Sequence, residues 1–334
     1  MTDYWKKWFI EKRAGNDSYF LSKDIYFKGK KKRIRIKCQG KPPDVSDIER
    51  IALSHINEII EKAKTTRAAL ASDYYELQYI RVKLMQALER TTVAAQIFLS
   101  FLPIHEQELY KKQFGMRYIH GTTSIEGNTL SLQQVRDLIE FDAIPQGKSK
   151  REVFEVSNFE KVLEYRSTYK GKVTLSFIKK LHELIIRGAG DVEPGGFRRN
   201  DDIVIVGYDF SLCPSLLIEE QLQDLIDDYY AKIRNRFHPF EQAVLFHLNF
   251  ETIHPFGDGN GRVGREIFNY MITKEGYPPM LFLGEEREMY ISALKAGNDE
   301  KYQNMVAIFI GLYFKRYHSV LMSLESKSHT PPGE

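Results

Sequence analysis

The sequence predicts a mainly α protein. Three observations carry that expectation. From Ser46 onward, apolar residues recur at three- and four-residue spacing through one segment after another. Ser46-Asp47-Ile48-Glu49 and Ser131-Leu132-Gln133-Gln134 have the form of capping boxes at helix starts. Strand-like character, alternating or β-branched and apolar, is confined to residues 18–38 and 202–213.

In chain order, residues 1–45 are expected to form a small N-terminal β-hairpin region. SYFLSKDIYFKGKKKRIRIKC alternates on both sides of Lys28-Gly29-Lys30, with Gly in the turn. Its second arm places Lys31, Arg33, Arg35 and Lys37 on one face. Such a face could meet nucleic acid, but solvated charges on an edge hairpin are the simpler reading. Tyr4, Trp5, Trp8 and Phe9 are expected to pack on this region. Lys41-Pro42-Pro43 reads as a linker to a helical N-terminal region, 46–110, in which Ile48, Ala52, Ile56, Ile59, Ile60 and Ala63 keep helical spacing.

Further amphipathic segments are expected at residues 70–100, 104–120, 131–141, 150–167, 174–188, 216–235, 238–253, 261–275, 287–295 and 299–323. The last two make a C-terminal helical region, 286–323. There Tyr302, Met305, Ile308, Phe309 and Leu312 follow one helical face and would serve as core or as the face of a homodimer. Residues 324–334 read as a disordered tail. Asp202 to Cys213, β-branched around Gly207, reads as a short hairpin between helices.

Bulk properties bound the function. The chain has 334 residues, 43% hydrophobic and 28% charged, with a formal net charge of +3. That charge is too small to argue for a nucleic-acid partner. No apolar run approaches the roughly 20 residues that cross a bilayer, and MTDYWKKWF lacks the apolar core of a signal peptide, so a cytoplasmic location without a membrane partner is expected. Cys38 and Cys213 fit no metal or redox spacing.

The chemistry concentrates in HPFGDGNGRVGR, residues 254–265. If one helix ends near Ile253 and another begins near Gly261, then Gly257, Gly259 and Gly261 permit a tight turn. Successive N–H groups then converge at a helix N-terminus, which makes an anion site. Arg262 and Arg265, three apart, lie on one face of the first turns and can reach a polyphosphate. Asp258 beside phosphates is explained by a Mg2+ ion, and His254 has the pKa range of a general base. A Walker A loop is absent, and a calcium loop fails because Asn269 stands where its bidentate Glu belongs.

These twelve residues resemble the signature of the Fic family, HxFx[DE]GNGRxxR, most of whose members transfer AMP from ATP to a protein hydroxyl. The similarity extends over residues 110–285 and implies a Fic-type helical bundle with a short β-hairpin flap, its catalytic core at 111–285. By that resemblance His254 is the general base and Asp258 binds Mg2+. Gly259, Asn260 and Gly261 would line the anion hole, Arg262 and Arg265 would hold the triphosphate of ATP, and Phe256 would anchor the loop. Members related to the Doc toxin carry Lys where this chain has Gly261 and transfer the terminal phosphate, so Gly261 favours nucleotidyl transfer.

TTSIEGN, residues 122–128, is by itself a helix end with Gly127 at the position that follows the cap. It also resembles the [ST]xxxE[GN] inhibitory motif of the family, here N-terminal to the loop, with Thr122, Glu126 and Gly127 in the matching places. The implied mechanism pairs Glu126 with Arg265, denying that arginine to the γ-phosphate. The resemblance also makes the hairpin at 202–213 a flap on which a target segment adds as a strand, using Ile203, Val204, Ile205 and Val206. Arg198 and Arg199, just before it, would approach phosphates or face solvent. His247 lies about 10 Å along the helix from His254, too far to share a metal, and reads as structural.

The expected function is therefore an autoinhibited, Mg2+-dependent protein adenylyltransferase acting on a Ser, Thr or Tyr hydroxyl of another protein or of itself. Removal of AMP by the same site, and a nucleotide-sensing or nucleic-acid-binding module built on the basic hairpin, remain open alternatives.

Overall fold

The computed structural model describes residues 4–12, 18–201 and 212–327. Three strands open the chain, β1 Phe9–Lys12, β2 Ser18–Phe27 and β3 Lys30–Gln39, paired antiparallel in the order β1-β2-β3. The hairpin between β2 and β3 is as expected. Phe27 pairs with Lys30, and Lys28 and Gly29 both take positive φ (47° and 81°), the two-residue turn whose twist matches flanking strands. Strand β1 was not legible, because four residues are too few to show alternation.

The sheet has one apolar and one charged face. Tyr19, Leu21, Ile25, Ile34, Ile36 and Cys38 are buried. On the other side Arg33 pairs with Glu11 and Asp24, Arg35 with Glu11 at 2.7 Å, and Lys31 with Asp24 at 2.7 Å. Three of the four cations that could have met nucleic acid are thus engaged by carboxylates of β1 and β2. Trp5 and Trp8 are buried, and the ammonium of Lys23 lies 4.1 Å from the Tyr4 ring, so the N-terminal aromatics do pack on this region.

The helices that follow are α1 Ile48–Ser54, α2 Ile56–Ser72, α3 Val82–Phe101, α4 Ile104–Ile125, α5 Leu132–Phe141, α6 Lys150–Thr168, α7 Leu175–Ile186, α8 Ile218–Arg234, α9 Pro239–Ile253, α10 Asn260–Lys274, α11 Arg287–Asn298 and α12 Tyr302–Lys327. Two expectations need correction. Ser46 falls inside a 3-10 turn, Val45–Asp47, and neither Asp44 nor Asp47 makes a side-chain cap, so that capping box does not form. The segment expected from residue 70 begins at Val82, because Tyr74 and Tyr75 leave the helix to meet Phe27 edge to face, at 5.9 and 5.5 Å. At α5 the expected box is complete: Gln134 N–H donates to the Ser131 hydroxyl while the Gln134 side chain accepts from Ser131 N–H.

The chain divides into two compact units. One contains the sheet, α1–α3, the start of α4 through Tyr110, and α12 from Tyr313 onward. Within it β3 packs on α2, and the buried Glu89 on α3 accepts from Arg67 on α2.

The other unit runs from Lys111 to Leu312. Its centre is α9, buried on nearly every side through Phe240, Val244, Phe246, Leu248 and Phe250, with α8 and α10 against it. Met305, Phe309 and Leu312 of α12 lie in this unit's core, which resolves the choice between core and dimer face for those three. No described helix is long and apolar enough to cross a membrane.

Candidate active site

Helix α9 begins with Pro239 at its first turn and ends on His254, which takes the left-handed conformation at φ 50°, ψ 61°. A left-handed residue without glycine's freedom is uncommon, and here it turns the imidazole-bearing residue off the helix axis. Gly259, at φ 82°, caps α10. It is the one loop glycine that needs its freedom at positive φ. Gly257 and Gly261 are small for want of space instead: a Cβ at 257 would lie 3.0 Å from Val192, and one at 261 would overlap Oε1 of Glu126.

The loop between the helices is braced from inside. Phe256 is fully buried and stacks on His182, ring centres 3.8 Å apart and planes 4° from parallel. Asn260 accepts from Phe256 N–H at 2.9 Å and donates to its carbonyl at 2.8 Å. The Asn260 side chain thus staples the loop, and only its backbone N–H is left to face an anion. Nδ1 of His182 accepts from Gly195 N–H at 2.9 Å, which leaves Nε2 protonated to donate to the Asp258 carbonyl at 3.1 Å. Burial holds the His182 pKa down to about 4, so the ring stays neutral in that role.

Both arginines at the start of α10 are buried, each 1% exposed, and both are engaged by carboxylates. Arg265 donates through Nε to Thr122 Oγ1 at 2.9 Å, and through Nη2 to the Thr122 carbonyl at 2.9 Å and to Glu126 at 2.7 Å. Burial disfavours its charge, but Glu126, together with Tyr290 and Glu251, outweighs that and holds the pKa above the ordinary value. Arg262 donates to Glu155 at 3.0 Å and to Asp258 at 2.9 Å. Asp258 also accepts from Arg151 at 2.8 Å and from Gly259 N–H at 2.6 Å. Asn128 donates to Glu155 at 3.0 Å, completing the chain of contacts. The sequence placed a contest at Arg265 alone, whereas the structure ties up Arg262 and Asp258 as well.

Glu126 reaches Arg265 because α4 ends just before it. Asn128 N–H bonds the Thr123 carbonyl at 3.1 Å, Gly127 N–H bonds Ser124 at 3.0 Å, and Gly127 takes φ 95°. This is a Schellman motif, and it turns the chain so that residue 126 faces α10.

His254 is half-buried, and burial, reinforced by the positive charge of Arg198, lowers its pKa against the opposing pull of the Glu251 carbonyl, Glu126 and Asp258. A neutral imidazole can accept a proton. Behind it His247 is fully buried, hydrogen-bonds Tyr290 at 2.8 Å and is held neutral at about pKa 3 by burial, as expected of a structural histidine. Burial raises Glu251 to about 8. Residues 203–206, the expected flap, lie outside the described residues.

Residues 172–272 match the model of the Fic/DOC family. That segment is similar to the Fic/DOC family. Among curated proteins it is similar to protein adenylyltransferase fic-1 of Caenorhabditis elegans, 32% identical over 54% of this chain and 36% of that one. It is also similar to protein adenylyltransferase Fic of Drosophila willistoni, 31% identical over 57% of this chain and 38% of that one. The matched segment therefore spans less than two-fifths of either relative. Among solved structures, a Fic-domain-containing signaling protein from Bacteroides thetaiotaomicron aligns with TM-score 0.62 at 21% identity, over 70% of this chain and 96% of that one. Fic-1 from Caenorhabditis elegans aligns with TM-score 0.59 at 23% identity, over 85% of this chain and 79% of that one. At those identities the likeness establishes the fold.

Three side chains that organise the site were missed from sequence: Arg151, Glu155 and His182. Arg151 and Glu155 sit four apart on α6, a spacing that reads as an ordinary surface pair. Only the fold shows that Glu155 also meets Arg262, 107 positions away. For Arg198 the sequence left two alternatives, an approach to phosphates or exposure to solvent. It is 7% exposed with its donors taken by carbonyls and by Asp201, which leaves neither alternative for it, while the side chain of Arg199 beside it is 90% exposed.

Proposed function

We propose that the chain is a protein adenylyltransferase that moves AMP from ATP to a Ser, Thr or Tyr hydroxyl of a protein, itself included, and that Glu126 keeps it inactive at rest. The observation that carries this reading is the meeting of three things at one helix N-terminus. These are a half-buried His254 whose pKa burial lowers, the unpaired N–H groups at the start of α10, and two buried arginines held by exchangeable carboxylates. Similarity to the two protein adenylyltransferases supports the same chemistry.

In this mechanism the hydroxyl oxygen attacks the α-phosphorus of ATP while the imidazole of His254 takes its proton. The bond from the α-phosphorus to the bridging oxygen breaks, and pyrophosphate leaves with the electron pair. The N–H groups of Gly259, Asn260 and Gly261, with Arg262 and Arg265, receive the charge of the departing phosphates. Gly261 leaves that path open. Asp258 would hold Mg2+, which supplies charge neutralisation between phosphates when bound. A lone carboxylate suits that ion, which fills its shell with water and phosphate oxygens. Both oxygens of Asp258 are engaged by arginines at rest, so binding the ion has to exchange those contacts.

Glu126 blocks this in two ways. It holds Arg265 away from the γ-phosphate, and its carboxylate stands against Gly261, where the leaving phosphates belong. A cytoplasmic location is part of this proposal, and Cys38 and Cys213 would stay reduced there.

Incubation with Mg2+ and ATP labelled at the α or the γ position tests the reading. Covalent label should come from the α position only, rise in Glu126→Gly and vanish in His254→Ala. Label from the γ position would mean phosphoryl transfer and overturn the proposal.

A further inference from the structure

We infer that Arg198 is the positioning residue that sets His254 for proton transfer, by tying the left-handed turn beneath the imidazole to the segments on either side of residues 202–211. The inference rests on His254 being the base proposed above.

The geometry is unusual for an arginine. Arg198 is 7% exposed, yet it faces carbonyls in place of a dominant carboxylate partner. Nε donates to the His254 carbonyl at 2.8 Å, and Nη2 reaches the carbonyls of Ile253, at 3.4 Å, and of Cys213. Nη1 donates to the Asn200 carbonyl and to the Asp201 carboxylate, both at 3.0 Å. Its own N–H donates to the Pro255 carbonyl at 2.9 Å. One side chain and its peptide unit therefore hold three consecutive carbonyls, those of Ile253, His254 and Pro255. The first two are among the acceptors that the end of α9 leaves without intrahelical partners, and Pro255 lies just beyond the helix.

Two consequences follow for His254. First, φ 50° is a conformation that a histidine backbone holds only when its surroundings impose it, and the guanidinium fork is what imposes it here. Second, a cation at the C-terminal end of α9 satisfies the negative end of that helix. The charged groups acting on the imidazole are Arg198 from the preceding loop, Glu126 beyond α4 and Asp258 from the catalytic loop, with the Glu251 carbonyl from α9 itself. Among these Arg198 is the cation. Asp201 is exposed, and its second contact is Ser215 N–H at 2.7 Å, so it steadies the far end of the fork rather than the base.

The test compares Arg198→Lys and Arg198→Gln, both in the Glu126→Gly background. Lysine keeps the charge and loses the fork; glutamine loses the charge as well. Both should lower kcat about a hundredfold, the scale of a 1 Å misplacement, while KM for ATP stays within about twofold. Titration of the His254 ring followed by NMR should show its pKa raised in Arg198→Gln and unmoved in Arg198→Lys. A kcat within threefold of the parent in both variants, a KM for ATP that rises as much as kcat falls, or identical His254 titrations in the two variants would overturn the inference. If Glu126→Gly with Arg198 intact labels nothing, it is the function reading that has failed. The ring titration then still decides whether Arg198 governs His254.

Discussion

Arg265 holds its charge in a place that is 1% exposed because three oxygen contacts, two from Thr122 and one from Glu126, replace its water. The lock can therefore be weakened without touching either charge. Thr122→Val removes the hydroxyl acceptor of Arg265 Nε. A hydrogen bond to a charged group contributes about 1.5 kcal/mol or more, roughly a tenfold shift in an equilibrium. Self-labelling from α-labelled ATP should accordingly lie between that of the parent and that of Glu126→Gly. Labelling equal to the parent would show that Thr122 takes no part in the lock. Asn260 teaches a related point about reading signatures. Its side chain is spent on Phe256, so its identity serves the shape of the loop, and its backbone N–H is the group available for chemistry.

The aim of Glu126 is decided by an element, the end of α4. Gly127 at φ 95° has open space where a Cβ would point, so Gly127→Ala meets backbone strain and no clash. The cost should be about 1–2 kcal/mol in urea unfolding, with labelling raised because residue 126 is no longer turned toward α10. Unchanged labelling together with the loss of stability would separate the cap from the lock. Helix α5 offers the matching control. Ser131→Ala breaks a capping box whose hydrogen bonds run only to Gln134, and should cost about 1 kcal/mol while labelling stays at the parent level.

Across the molecule, buried titratable groups give stability a defined pH dependence. His182 and His247 fall from an ordinary 6.5 to about 4 and about 3. Below about pH 6.5 the unfolded chain takes up protons that the folded chain refuses. Their contribution is therefore present above that pH and lost as pH falls toward 4. Glu251 has the opposite sign. Its folded pKa is raised from 4.5 to about 8, so the folded chain keeps a proton that the unfolded chain releases, and stability declines as pH rises from about 4.5 to 8. Glu251→Gln should raise the urea midpoint at pH 8 relative to the parent and leave it nearly unchanged at pH 4.5. An equal shift at both pH values would show that the residue acts through packing instead.

What the sequence by itself determined is local. The two-residue turn at Lys28-Gly29, the box at Ser131, the cap at Gly127 and the loop of residues 254–265 are all fixed by neighbours within a few positions, where spacing and backbone freedom dictate the outcome. The Glu126–Arg265 pairing was legible too, although 139 positions separate the partners, because each end carries its own recognisable motif. What only the tertiary structure decided depends on partners with no local mark. Carboxylates of β1 and β2 engage three cations of β3, and two tyrosines leave a helical pattern to reach Phe27. Glu155 and Arg151 close on Arg262 and Asp258, and Arg198 turns inward to the carbonyls around His254. The physical reason is that burial makes charges and backbone carbonyls find partners wherever the fold supplies them, and distance along the chain says nothing of where that will be.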